Sequence, residues 1–166
     1  MASVTFKQEP VTLLGDEVKV GDTAPNFKVL SNNLETVTLD DYEGKVKLIS
    51  AVPSIDTGVC SEETIRFNKE ADSIPNVQVL TISMDLPFAQ TRWCAANDVK
   101  NLDTLSDHNL ADFGKNYGTL IEELRLLTRA VFVVDSNNKI TYVEYVDEVT
   151  NHPDYESALE AAKAAK

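Results

Sequence analysis

The sequence predicts an α/β domain with a central mixed β-sheet flanked by helices. Two observations carry this. Between residues 46 and 97, short runs rich in Val, Ile and Leu alternate with longer amphipathic runs, as in strand–helix–strand–helix units. Two further apolar runs then flank Asp135-Ser136-Asn137-Asn138, a hairpin turn signal, and an Ala- and Glu-rich helix follows. The length of 166 residues suits one domain over residues 1–166, and 43% hydrophobic with 25% charged residues are ordinary globular values.

The elements follow in order. Val4 to Phe6 and Val11 to Leu14 read as an N-terminal β-hairpin, with Gln8-Glu9-Pro10 as its bend. Gly21 to Pro25 is a loop, because Pro25 holds Ala24 out of the helical region. Phe27 to Leu30 and Thr36 to Leu39 predict two strands around Ser31-Asn32-Asn33. Val46 to Val52 is a strand ending at Pro53, with the little-charged tail of a central strand. Gly58 to Ile74 is helical; Val59, Ile65 and Phe67 supply its apolar face, and Glu62, Glu63, Arg66, Lys69 and Glu70 its polar one. Val77 to Met84 is the next strand. A helix over Phe88 to Asn97 follows Pro87, which suits a first helical turn. Leu102 to Leu105 is a short strand, and Asn109 to Tyr117 a short helix closed by Gly118. Arg129 to Val134 and Ile140 to Val143 form the hairpin, and Asp154 to Ala165 the last helix. This order contains the plan of the thioredoxin fold with extra N-terminal strands. Periodicity alone does not single that fold out.

Charge and targeting narrow the function. The chain has 27 acidic and 15 basic residues, a net charge of −12. Nucleic-acid binders neutralise phosphates with Lys and Arg, and anionic lipid attracts basic segments, so neither partner is expected. No run approaches the roughly 20 apolar residues that span a bilayer. Met1 to Lys7 has no basic segment leading into an apolar one, so the expected compartment is the cytoplasm. Cys60 and Cys94 are the two cysteines, too few for a disulfide scaffold and too far apart for Cys-x-x-Cys.

Pro53-Ser54-Ile55-Asp56-Thr57-Gly58-Val59-Cys60 carries the chemistry. A buried strand enters it and an amphipathic helix leaves it. Cys60 therefore falls in a first helical turn, where free N–H groups and the dipole favour a thiolate, the reactive form. Thr57, three residues earlier, shares its face and both donates and accepts hydrogen bonds. The residues alone leave Cys60 open as a buried structural cysteine and Thr57 as a helix cap. Glu62 and Glu63 work against an anionic sulfur, so the site needs a cation, and local sequence offers only Arg66.

Pro53, Thr57 and Cys60 match the peroxiredoxin pattern Pro-x-x-x-Thr-x-x-Cys. Gly21 to Phe27 resembles that family's Gly-x-x-Ala-Pro-x-Phe segment. The full string from Pro53 to Cys60, the run Arg129 to Asp135 and the placement of Cys94 resemble its bacterial thiol peroxidase subfamily. The resemblance covers essentially the whole chain and implies a thioredoxin-like fold. It implies Cys60 as peroxidatic nucleophile, Thr57 bonded to sulfur and peroxide, and Pro53 shielding the thiolate and setting the loop. It also implies Arg129 as the missing cation. Read without it, Arg129 is a surface strand-end arginine paired with an acid.

The resemblance further implies that Cys94 is a resolving cysteine in the same chain, forming an intramolecular disulfide with Cys60. From spacing alone, Cys94 could equally pack a helix face on the sheet. Joining two separate helices requires Cα atoms within about 7 Å, so both segments are expected to rearrange. Family membership points to hydrogen peroxide and organic hydroperoxides as substrates, to thioredoxin as reductant and to a homodimer. No glycine fingerprint for a nucleotide occurs, so no bound cofactor is expected; His108 and His152 make no metal-ligand spacing. The Tyr117–Leu127 cluster stays open between core, pocket wall and dimer surface, and Phe88 is a candidate pocket wall with core packing as the favoured alternative. Competing functions are a general disulfide oxidoreductase, disfavoured without Cys-x-x-Cys, and a redox-sensing interaction protein.

Overall fold

The computed structural model describes residues 3–71, 73–99 and 102–165. At the N-terminus, β1 (Val4–Phe6) and β2 (Glu9–Val11) form a two-stranded ribbon. Its turn is Lys7-Gln8, both at positive φ (52° and 71°), a backbone matched to the twist of a two-residue hairpin. The predicted bend over Gln8 to Pro10 is thus displaced. Pro10 lies inside β2 opposite Thr5, where a two-stranded ribbon tolerates a residue with no N–H. The predicted second strand also divides. β3 (Leu13–Leu14) leaves the ribbon because Leu13 buries against Val4, Ile121 and Val149.

The main sheet comprises β4 (Lys28–Leu30), β5 (Thr36–Thr38), β6 (Val46–Ala51), β7 (Val77–Ser83), β8 (Leu102–Ser106), β11 (Ala130–Val134) and β12 (Ile140–Tyr145). Its order is β12-β11-β6-β7-β8-β4-β5. β6, β7 and β8 run parallel; the pairings of β11 with β6 and β12, and of β4 with β5 and β8, are antiparallel. A 3-10 turn over Leu39–Tyr42 connects β5 to β6. β9 (Leu120–Ile121) and β10 (Leu126–Leu127) make a small sheet with β3.

Strand alternation sorts the core. Val46, Leu48, Val131 and Val133 face α1 (Gly58–Ala71) and α4 (Tyr155–Ala164), packing with Phe67, Tyr155 and Ala158. Ile49, Ala51, Phe132 and Val134 face the other way, onto Phe27, Phe113 and Tyr117. α2 (Pro87–Asn97) packs on β8, and α3 (Asp112–Asn116) on β4. Gly118, at φ +65°, closes α3 where a Cβ would meet the Asp16 carbonyl at 2.6 Å.

Other expectations shift at element ends. The predicted run of α1 to Ile74 crosses residue 72, outside the described residues; α1 is described to Ala71, and 73–76 are turns. Ile65 is 41% exposed rather than buried, and Glu63 takes the inward position. Tyr117, Leu120, Ile121 and Leu127 are core, whereas Leu124 is exposed. Phe88 is 68% exposed, so it does not pack the core.

Candidate active site

β6 delivers the chain into the site. Ser50 has the parity of Val46 and Leu48, so its side chain points at α1. Beyond β6, Val52 and Pro53 are buried, and the chain turns through 55–57 into α1. The Thr57 hydroxyl accepts from the Cys60 amide at 3.3 Å and faces the Ser54 carbonyl at 3.5 Å. This is an N-cap bonded to the third residue of the helix. In this arrangement the described contact of Thr57 with Cys60 is to its amide.

Cys60 is fully buried. Arg129, 2% exposed and directly before β11, reaches it across the sheet. Its Nη2 donates to Cys60 Sγ at 3.2 Å, its Nη1 to Glu63 Oε1 at 2.9 Å, and its Nε to the Val149 carbonyl at 2.7 Å. Ser50 Oγ donates to the other Glu63 oxygen, Oε2. The guanidinium therefore has three partners in its fork, which holds its plane at the sulfur. Burial works against the charge of Arg129. Glu63 and the Cys60 sulfur outweigh it and hold Arg129 above its ordinary value. Burial pushes the Glu63 carboxyl up, against the pull of Arg129 and Ser50.

Sequence reasoning misses Ser50 and assigns Glu63 to the polar face. The signal lies in the spacing. From Cys60 the inward face runs through Glu63, Thr64, Phe67 and Ala71, an i, i+3, i+4, i+7 stripe on which Glu63 is the acid. A buried carboxylate demands a partner, and Arg129 is that partner.

A cavity of about 420 Å³ opens beside the pair. Pro53, Thr57, Val59 and Arg129 line one side, Phe6 and Val149 another, so its walls are largely apolar. Arg129 links this cavity to the sulfur. The N-terminal ribbon thus walls the site, a placement that no local pattern in the sequence announces.

Cys94 lies on α2, half-buried, and both cysteines are free thiols. Val52, Ile55, Cys60 and Trp93 form one apolar cluster, with Cys94 packed at its edge. Cys94 Sγ sits 3.4 Å from Thr104 Oγ1. The fold therefore brings Pro53, Thr57, Cys60 and Arg129 together and keeps Cys94 in the same neighbourhood, unbonded to Cys60.

The redoxin family matches residues 19–159. The chain belongs to the peroxiredoxin family. It is 70% identical over 159 residues to a thiol peroxidase of Oceanobacillus iheyensis, covering 96% of this chain and 97% of that one. It is 60% identical over 164 residues to a thiol peroxidase of Bacillus subtilis, covering 99% and 98%. A peroxiredoxin-like protein from Aquifex aeolicus superimposes with a TM-score of 0.92 at 39% identity, covering 98% of this chain and 96% of that one. The expected thioredoxin-like architecture holds, and within the family this chain groups with the thiol peroxidases, an oxidoreductase class. Among the described residues no helix is long and apolar enough to cross a membrane.

Proposed function

We propose that residues 1–166 act as one peroxiredoxin domain that reduces hydrogen peroxide and organic hydroperoxides through Cys60. The observation that carries this is the Arg129 fork, bonded to Cys60 Sγ at 3.2 Å and braced by Glu63 and Val149. The Cys60 thiolate attacks one peroxide oxygen, the O–O bond breaks, and the leaving alkoxide takes a proton to depart as alcohol or water. Cys60 becomes a sulfenic acid. The fixed guanidinium is complementary to the charge that develops on the departing oxygen, the kind of preorganised electrostatics that dominates many rate enhancements. Thr57 lines the same cavity and offers a hydroxyl to the peroxide; Pro53 excludes water from one side. The apolar walls suit the body of an alkyl hydroperoxide.

Cys94 then attacks the Cys60 sulfenic sulfur, forming the disulfide and releasing water. Thioredoxin returns both sulfurs to thiols, and no bound cofactor takes part. The family resemblance also supports a homodimer, and the net charge of −12 argues against a nucleic-acid or anionic-lipid partner. The test adds one equivalent of organic hydroperoxide to reduced protein and maps the intact mass by peptide. A loss of two hydrogens with a Cys60–Cys94 link inside one chain is expected. Two unmodified thiols would overturn the proposal.

A further inference from the structure

On the reading above, pairing of Cys60 with Cys94 shifts the loop before α1 against α2, and one carboxylate at the start of α2 is bonded to that loop. Asp85 lies between β7 and Leu86, the residue that caps α2. Its Oδ1 accepts from Ser54 Oγ at 2.7 Å. Its Oδ2 accepts from the Ile55 amide at 2.9 Å and from Ser83 Oγ at 2.7 Å. Ser54 and Ile55 stand between Pro53 and Thr57, so Asp85 grips the peroxidatic loop just upstream of the Cys60 turn. Ser83 Oγ in turn accepts from Gln90 Nε2 at 3.1 Å, and Gln90 Nε2 also donates to the Leu105 carbonyl at 2.8 Å. Gln90 lies on α2 one turn before Cys94. A hydrogen-bonded chain therefore runs from the loop of one cysteine to the helix of the other.

The chain is mostly buried, since Ser83 and Gln90 are both fully covered. Hydrogen bonds to a carboxylate are stronger than neutral ones, and a buried partner left unmatched is costly. The loop and α2 are also not packed tightly along their whole length. A cleft of about 480 Å³ lined by Ser54, Asp85, Ala89 and Trp93 lies between them. The clamp therefore adds a polar hold beside the apolar contact of Ile55 with Trp93. It is satisfied in the arrangement in which Thr57 caps the Cys60 turn and Arg129 bonds the sulfur.

We propose that Asp85 is a positioning residue that holds the peroxidatic loop against α2, favouring the arrangement that reacts with hydroperoxide over the one that forms the disulfide. The inference rests on the Cys60–Cys94 reading above. Asp85 touches neither sulfur nor peroxide. The covalent step is unchanged: the Cys60–OH sulfenic acid and the Cys94 thiol become a disulfide and water. What Asp85 sets is the fraction of time the two sulfurs can meet. A contact made in only one of two states shifts their ratio by its differential strength. When the rearranged state is the minor one, weakening the clamp multiplies that minor population and barely changes the major one.

The test is stopped-flow fluorescence of Trp93, the single tryptophan, during oxidation of wild type and Asp85→Asn. Quenched-flow mass measurement assigns each phase. The amide introduced by Asp85→Asn keeps one acceptor oxygen and loses the charge and the second. Disulfide formation is expected to quicken about tenfold, while reaction with hydroperoxide changes less than about threefold. The peroxide dose that overoxidises Cys60 should rise in step. A merely structural role predicts slowing of both phases. Unchanged or slower disulfide formation would overturn the proposal. Should Asp85→Asn fail to fold, Ser54→Ala removes one bond and should shift the same phase in the same direction, about threefold; no shift there overturns it as well. If wild type itself forms no Cys60–Cys94 link, the underlying reading fails and this one falls with it. A normal wild-type link with an unaltered variant rate removes the Asp85 role alone.

Discussion

Arg129 turns each arm of its guanidinium to a different partner: the Val149 carbonyl, the Glu63 carboxylate and the Cys60 sulfur. A lysine has one ammonium on a flexible stem and cannot hold that plane. Arg129→Lys should therefore keep a charge near the site yet lower kcat/KM for hydroperoxide by about 10²–10³-fold, the usual cost of losing a preorganised donor at a developing charge. Steady-state kinetics with a reductant in excess checks this; a loss under about threefold would contradict the assigned role. Glu63 explains why sequence reasoning senses a missing cation but misjudges the acid. Read along the chain, its charge is a neighbour that opposes the thiolate. In the fold it is fully buried and braces the very cation that faces the sulfur.

At the scale of elements, the N-terminal ribbon is tied to the site by the carboxylate of one half-buried residue, Glu148. Glu148 accepts from the Thr150 hydroxyl and amide, the Gln8 amide, the Lys7 amide and the Thr5 hydroxyl. The bonds from Thr150, with those from Gln8 and Thr5, push its carboxyl down to about 2 from an ordinary 4.5. Between those values the unfolded chain binds a proton that the folded one does not, so stability rises with pH across that window. The contribution is complete above about pH 4.5 and is lost as pH falls toward 2. The stability gap between wild type and Glu148→Gln, from urea titrations, should thus be open at about pH 5.5 and narrow steadily below about pH 4.5. A gap independent of pH would contradict the tie. The ribbon itself is legible as two short β-rich runs, but its turn is not. Lys7 and Gln8 adopt left-handed backbone without a glycine to announce it. β9 and β10, two residues each, carry too little pattern to be read at all.

For the whole molecule, oxidation should be a local event on a rigid frame. β6, β7 and β11 are buried almost throughout and anchor both helical layers. The segments proposed to move, 54–61 and the α2 region, meet across the cleft beside Asp85. Hydrogen exchange of the disulfide form should rise in those two segments and stay unchanged in β6, β11 and α4. Uniform change across the sheet would contradict a local rearrangement. Local openings of this kind draw on regions with few buried apolar contacts.

The sequence by itself determined the succession of the main-sheet strands and the helices, because periodicity and turn residues are local properties of the chain. It also pointed to the proposed reactive segment, because Pro53, Thr57 and Cys60 lie within eight residues of one another. Residue patterns left the cation at the sulfur open and the resemblance implied Arg129; tertiary structure decided how Arg129 reaches Cys60. Arg129 is separated from Cys60 by most of the sheet's connectivity, and only the pairing of β11 beside β6 brings them within 3.2 Å. It likewise decided that Glu63 faces inward, that Phe6 walls the cavity and that Asp85 joins the two cysteine-bearing elements. Each is a contact between residues distant in the chain, so its energy exists only once the sheet has assembled.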